Sequence, residues 1–193
     1  MNDLEPSTPW QRTSSRPVYE NPWFRVREDQ VIRPDGSRGI YGVVELPEYA
    51  GVVAVDDHGR VALVRQWRYL YGETTLEVPA GNAAPTDTSP IDAAQRELLE
   101  ETGLAASTWV SLGRIRYSAV TNVGHLFLAR NLSERARPKS NDDWTELIWL
   151  DYSEAISLVL KGEITESTSL GALMKAEALR QRGEWSLLPL SPG

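Results

Sequence analysis

The chain has 193 residues, a formal net charge of −7 and no cysteine. Its length suits one domain with a sizeable core, and 41% hydrophobic with 24% charged residues is ordinary for a globular protein. The lack of cysteine excludes disulfides and thiolate metal sites. The acidic balance, without a basic run, disfavours nucleic-acid binding. No apolar run is long enough to span a membrane, and the N-terminus lacks the apolar stretch of a signal peptide. A cytoplasmic protein is the default expectation.

The N-terminal part of the chain predicts strands that follow a polar arm. Residues 1–17 are rich in Pro, Ser and Thr, which favours a flexible arm. A turn at 34–36 is predicted between the strands Trp23–Ile32 and Gly39–Glu45. A hairpin turn at 56–59 is predicted between the apolar runs Gly51–Val55 and Val61–Arg65.

Helices and strands alternate in the rest of the chain. One helix is predicted to begin near Ser89 and Pro90, which suit the cap and the first turn, and to end at Gly103. The further predicted elements are the strands Trp109–Tyr117, Gly124–Ala129 and Glu146–Leu150, and the helices Tyr152–Lys161 and Ser167–Gln181 on either side of Gly162. This order predicts one α/β domain of the mixed α+β kind.

Three glutamates share one face of the predicted central helix. Glu97, Glu100 and Glu101 stand at i, i+3 and i+4. Like charges at these spacings cost about 0.2–0.5 kcal/mol per pair, and they lie near the helix end that prefers cations. A divalent cation with oxygen ligands would reverse both penalties, and Mg²⁺ or Mn²⁺ has this preference. A solvated acidic helix face is the alternative interpretation.

The segment around this helix resembles the Nudix box. Its second half has every expected residue, in the sequence Arg96-Glu97-Leu98-Leu99-Glu100-Glu101-Thr102-Gly103-Leu104. Its first half begins at Gly81, after the predicted strand that starts at Leu76, but has Asp87 in place of glutamate. One extra residue also separates Asp87 from Arg96. Both departures fall before the helix, so the face that carries the three glutamates is expected to stay intact.

The resemblance implies roles for individual residues. Glu97 and Glu101 would be the main ligands of the metal, Glu100 an auxiliary ligand, and the backbone carbonyl of Ala80 a further ligand. Arg96 would hold the carboxylates in place by ion pairing. The implied fold is the Nudix fold, a mixed β-sheet between helices with an antiparallel strand region before it. The implied reaction is attack on a diphosphate by a metal-activated water.

Further stretches resemble the ADP-ribose pyrophosphatase and nucleoside diphosphate sugar hydrolase branch of that family. These stretches are 21–24, 41–45, 64–68, 76–81 and 162–164. The branch implies a homodimer formed through 18–46, a catalytic domain over 47–185 and a tail over 186–193. It also implies that the substrate contacts include Arg65, Gln66, Trp67, Arg68 and Glu77. Because Arg65 and Arg68 point to opposite faces of a strand, we expect only one of them to contact the ligand in one subunit.

Several alternatives concern the substrate and the residue that acts as general base. The segment 116–122 lacks the proline that ADP-ribose enzymes of this branch tend to carry. The substrate could therefore be another nucleoside diphosphate derivative, such as GDP-mannose or a dinucleotide, and a non-catalytic nucleotide sensor is a further alternative. In related enzymes a glutamate of a later loop can activate the water, and Glu146 lies in the matching region, with Asp142 and Asp143 as other candidates. A solvated acidic loop is the alternative interpretation of these three residues.

Three aromatic residues could stack on the base of the nucleotide. They are Trp23, Trp67 and Tyr69. For Trp23 and Tyr69 we favour packing in the core or in a dimer contact. The role of Trp67 is left open between stacking and packing.

Overall fold

The computed structural model describes residues 9–118, 120–136 and 145–185. The chain divides into two compact units, which are described one at a time. The first consists of the chain up to Pro47 together with Arg116–Asn122, and the second of the remaining residues.

The first unit is built on a three-stranded antiparallel sheet in the order β1-β2-β3. Its strands are β1 (Gln11–Glu20), β2 (Arg25–Ile32) and β3 (Arg38–Glu45). The turn between β2 and β3 lies where the sequence predicts it. There Asp35 accepts a hydrogen bond from the Ser37 N–H at 2.9 Å, and Gly36 has φ +82°, a conformation that glycine adopts at little cost.

The structure corrects the predicted N-terminal arm. From Gln11 onwards the expected arm is a strand, because its backbone pairs with β2 and Arg16 forms an ion pair with Glu28 at 2.9 Å. All ten residues of β1 are exposed, so the strand has no apolar alternation by which the sequence could have revealed it. Pro17 lies at a register shift in this edge strand, a position where its missing N–H is tolerated.

The second unit holds a seven-stranded mixed sheet and three helices. Its elements are β4 (Tyr49–Val55), β5 (Arg60–Arg68), β6 (Glu73–Glu77), β7 (Ala80–Asn82), α1 (Pro90–Thr102), β8 (Leu104–Arg116), β9 (Val123–Glu134), β10 (Glu146–Asp151), α2 (Tyr152–Lys161) and α3 (Ser167–Gln181). Both C-terminal helices begin and end at the predicted residues, and the predicted hairpin joins β4 to β5.

Strand β4 is buried along its whole length and organises the sheet. It runs parallel to β9 on one side. On the other side it pairs with β5 at one end and with β7 at the other. Between these two pairings the Val52 N–H donates to the Pro79 carbonyl at 2.9 Å. The turn that links β6 to β7 is therefore held against the most buried strand of the unit.

Side chains of the sheet alternate between two hydrophobic cores, as the strand period of two requires. On one face Val52 and Ala62 pack with Ala94 and Leu98 of α1. The other face carries a core that includes residues of α2 and α3: Val53, Val55, Val61, Leu63, Ala155, Ala172, Leu173 and Ala176. The predicted fold, a mixed sheet between helices, is confirmed. No helix in the described ranges has the length and apolarity needed to cross a bilayer.

Helix α1 has the predicted ends, but one cap differs from the prediction. Gly103 has φ 72° and its N–H donates to the Leu99 carbonyl at 2.9 Å, which ends the helix. At the start, the Ser89 side chain does not cap the backbone. Instead Asp92 accepts hydrogen bonds from the N–H and the hydroxyl of Thr88, at 3.0 and 2.6 Å.

Candidate active site

The turn before β7 meets the last turns of α1. The Ala80 N–H donates to Oε2 of Glu101 at 2.9 Å. Two residues earlier, the Val78 N–H donates to the Ser169 hydroxyl of α3 at 3.0 Å. Ser169 in turn donates to Glu166 at 2.9 Å, and the Glu166 carboxylate caps the N-terminus of α3. The backbone on both sides of Pro79 is thus fixed by α1, α3 and β4.

Arg96 links two of the three glutamates on the helix. Its Nη1 donates to Glu97 at 2.7 Å and to Glu100 at 3.0 Å. The Glu97 side chain is 11% exposed and that of Glu100 is 40% exposed. A Cβ at position 81 would collide with the Glu97 carboxylate, so glycine there lets that carboxylate keep its place beside β7. The predicted carboxylate face therefore lies directly against the predicted glycine turn.

The buried carboxylates resist ionisation. Burial raises the pKa of Glu101 to about 8, and the hydrogen bond from Ala80 opposes that rise. Burial also raises the pKa of Glu97, while the hydrogen bond and charge of Arg96 oppose the rise. Negative charge is costly here without a further cation. These are the electrostatic conditions in which a bound divalent ion would stabilise the ionised form.

The donor set fits a hard divalent cation, since it offers three carboxylates close to a backbone turn. Among the described residues, no group of three or more His, Asp or Glu side chains is already arranged to hold a metal ion. The contacts give the reason. Arg96 binds Glu97 and Glu100, and Ala80 binds Glu101. A cation would share these carboxylates with Arg96 or draw them away from it.

Glu77 and Arg68 form a second polar cluster beside the first. Glu77 is 1% exposed and accepts hydrogen bonds from Arg68, from Thr75 at 2.6 Å and from Gln66 at 3.3 Å. The Glu77 carboxylate is therefore satisfied within the chain and anchors Arg68. Its expected contact with the substrate stays a prediction. The hydrogen bond from Arg68 to Glu77 raises the Arg68 pKa, and the charges of Glu101 and Glu166 act in the same direction.

The two arginines of β5 differ in surroundings, as the strand alternation predicts. Arg65 pairs with Glu146 at 2.8 Å, and both side chains are more than half exposed. Arg68 is 39% exposed and its partner Glu77 is buried. The candidate base Glu146 thus lies next to Arg65 at the start of β10, in register with it. The other two candidate bases, Asp142 and Asp143, lie outside the described residues.

The aromatic candidates are all exposed within the chain. Trp23 is 70% exposed, Trp67 56% and Tyr69 94%. Packing of Trp23 or Tyr69 in the core is therefore wrong. A dimer contact for these two residues stays a prediction, and so does base stacking by Trp67.

The sequence did not identify several residues that hold the site together. Thr75, Glu166, Ser169 and the Asn82 carbonyl all take part in its hydrogen bonds. Only Thr75 had a usable signal, because it stands two residues before Glu77 and shares its strand face. The bond between Ser169 and Val78 joins residues 91 positions apart, so it depends on the tertiary fold.

Comparison with known proteins gives two matches to protein families, which together span residues 10–169. Residues 45–169 match the NUDIX domain, and residues 10–44 match the nucleoside diphosphate sugar hydrolase N-terminal domain. An ADP-ribose pyrophosphatase of Mycobacterium tuberculosis is 34% identical over 171 residues, which cover 86% of this chain and 82% of that protein. An ADP-ribose pyrophosphatase of Bacillus subtilis is 30% identical over 177 residues, covering 90% and 93%.

More distant relatives extend the comparison. A methanol dehydrogenase activator of Bacillus methanolicus is 27% identical, over 86% of this chain and 92% of that protein. The crystal structure of an ADP compounds hydrolase superposes with a TM-score of 0.80 at 19% identity, covering 91% of this chain and 96% of the other. The fold is thus shared at low identity, and the predicted resemblance is confirmed. The chain belongs to the Nudix hydrolase family.

Proposed function

We propose that this protein hydrolyses the diphosphate linkage of ADP-ribose or a closely related nucleoside diphosphate sugar. The observation that carries the proposal is the carboxylate cluster of Glu97, Glu100 and Glu101 beside the Ala80–Gly81 turn. Two relatives at 30% identity or more are named ADP-ribose pyrophosphatases, which supports the same substrate class for this chain.

Nudix hydrolases generally need a divalent metal ion. We propose Mg²⁺, with Mn²⁺ as a substitute, because all available donors are oxygens. Glu97 and Glu101 would be its main ligands, and Glu100 and the Ala80 carbonyl would be the other ligands that the protein supplies. When bound, such an ion lowers the pKa of the attacking water and neutralises charge on the diphosphate.

The remaining roles follow from the positions of the side chains. Arg68, fixed by the buried Glu77, is our choice for the diphosphate contact, with Gln66 on the same strand beside it. Trp67 offers an exposed ring face to the base. Glu146 would take the proton of the attacking water. Its pairing with Arg65 is exposed and therefore weak enough to be released.

The substrate proposal is tested by steady-state kinetics on a panel. We expect kcat/KM for ADP-ribose to exceed that for a nucleoside triphosphate and for a dinucleoside polyphosphate. ADP-glucose and GDP-mannose belong in the panel because 116–122 lacks a proline that favours ADP-ribose. A triphosphate preferred by tenfold, about 1.4 kcal/mol in transition-state binding, would contradict the substrate class and leave the family assignment in place.

We also propose a homodimer formed through the strands of 18–46. Among the described residues before Pro47, only Asp29 and Val31 are buried. Large apolar side chains are exposed in this part of the chain, in the strands at Val18, Tyr19, Ile40 and Tyr41 and next to them at Trp10 and Trp23. Exposed apolar patches of this kind mark association surfaces. A second copy would also cover the outer edge of β1, which pairs with β2 alone among the described strands.

Light scattering tests the dimer at micromolar concentration. The natural chain is expected to have twice the mass of one chain, and Ile40→Lys is expected to shift it towards the monomer. His58→Lys adds the same charge at the exposed β4–β5 turn and is the matched control. A natural chain that is monomeric throughout would contradict the proposal.

A further inference from the structure

Arg96 connects the start of the box to the metal-binding face of α1. All three of its guanidinium nitrogens donate hydrogen bonds. On the helix side Nη1 reaches Glu97 and Glu100. On the loop side Nη2 reaches the Asn82 carbonyl at 2.8 Å and Asp87 at 3.0 Å, and Nε reaches Asp87 at 3.3 Å. The guanidinium is therefore held from both sides in a fixed plane.

Asp87 is the charged partner on the loop side. Its side chain is 7% exposed, whereas that of Arg96 is 24% exposed. It also accepts a hydrogen bond from the Ala84 N–H at 2.7 Å, and its own N–H donates to the Ala84 carbonyl at 3.0 Å. A bidentate contact with a buried carboxylate restricts the arginine far more than a surface pair does. Free rotation of Arg96 would release its contacts with Glu97 and Glu100.

The two departures from the Nudix box, the aspartate at position 87 and the extra residue after it, both affect the contact between Asp87 and Arg96. Aspartate is shorter than the expected glutamate by one methylene, and one additional residue lies between Asp87 and Arg96. Helix α1 begins at Pro90. An insertion inside a helix would rotate the later residues by about 100°. The extra residue therefore belongs to Thr88–Ser89, before the helix, where it can move the carboxylate without turning the glutamate face.

We propose that Asp87 is a positioning residue that holds Arg96 against the metal-binding glutamates, and that the extra residue at Thr88–Ser89 offsets its shorter side chain. The role in catalysis rests on the proposed function, whereas the contact and the offset do not. Asp87 acts through Arg96, because both of its carboxylate oxygens accept hydrogen bonds from that guanidinium.

The first test measures Mn²⁺ affinity without substrate, by electron paramagnetic resonance of the free ion. Asp87→Asn is expected to weaken binding by about 10–100-fold, the usual effect of losing a partner that orients metal ligands. Asp92→Asn is the matched control, since Asp92 is an acidic residue of the same segment and its side chain bonds Thr88. An unchanged Mn²⁺ affinity in Asp87→Asn, even with a lower melting temperature, would overturn the positioning role.

The second test is a cycle of length changes. Asp87→Glu alone and deletion of Thr88 alone are each expected to weaken Mn²⁺ binding, because each disturbs the reach to Arg96. Together they restore the spacing of the box, so the double variant is expected to bind Mn²⁺ at least about tenfold more tightly than either single variant. A double variant no better than the singles would overturn the offset. If the natural chain does not hydrolyse ADP-ribose, that result would count against the proposed function and not against the positioning role of Asp87.

Discussion

Glu101→Gln is expected to lower kcat by more than about 100-fold, because even residues that only orient metal ligands have effects of 10–100-fold. The fold should persist, since the glutamine oxygen can still accept the hydrogen bond from the Ala80 N–H. Mg²⁺ is expected to raise the melting temperature of the natural chain more than that of the variant, because it binds the native state of the former more tightly.

The same substitution should change how stability depends on pH in excess chelator. The pKa of Glu101 is raised from 4.5 to about 8 in the folded chain. Between these values the folded state retains a proton that the unfolded state has lost, so stability falls as pH rises. Below 4.5 Glu101 is protonated in both states, so it no longer makes stability depend on pH. Glutamine has no such titration, so the variant is expected to be the more stable protein above pH 8.

Denaturant unfolding at a series of pH values measures this difference. Glu154→Gln, on the exposed face of α2, is the matched control and should follow the natural chain. The slope of the Glu101 variant is expected to be reduced and not abolished, because Glu97 also has a raised pKa. Equal slopes for the natural chain and the variant would contradict the raised pKa of Glu101. A fully active Glu101→Gln enzyme would contradict its role as a metal ligand.

Arg68→Met is expected to reduce the free energy of unfolding by about 2–3 kcal/mol and to remove most of the activity. Removal of one partner from a buried ion pair costs about 3–5 kcal/mol, and we discount this because Arg68 is 39% exposed. Glu77 would stay buried with only Thr75 and Gln66 as donors. The activity would fall because Arg68 is the proposed diphosphate contact.

A second substitution separates the two effects. In Arg68→Met/Glu77→Gln the uncompensated buried charge is gone, so most of the stability should return while the activity does not. Arg65→Met is the matched control, since its exposed pair with Glu146 should contribute less than about 1 kcal/mol. Equal losses of stability in Arg65→Met and Arg68→Met would mean that Glu77 does not anchor Arg68 in solution.

Local signals account for what could be predicted from the sequence. The three glutamates of α1 share a face because the helical period is local, and Gly103 ends that helix for reasons confined to its own backbone. The hairpin of β4 and β5 and the limits of α2 and α3 follow from turn glycines and apolar periodicity of the same kind.

Contacts across the fold account for what could not. Strand β1 is polar and exposed, and its pairing with β2 leaves no pattern in its own residues. The burial of Glu77 and its bond to Arg68 depend on the pairing of β5 with β6, so the position of Glu77 in the sequence does not reveal them. Likewise, the reach of Asp87 to Arg96 depends on how the loop folds before α1.

The most direct test of the account is product analysis of ADP-ribose hydrolysis with Mg²⁺ and with excess chelator. We predict AMP and ribose 5-phosphate in equal amounts with Mg²⁺, no turnover in chelator, and full recovery when Mg²⁺ or Mn²⁺ is restored. Full activity in excess chelator, or no cleavage of any nucleoside diphosphate sugar with either metal, would contradict the central claim that the carboxylates of α1 support metal-dependent hydrolysis of a diphosphate.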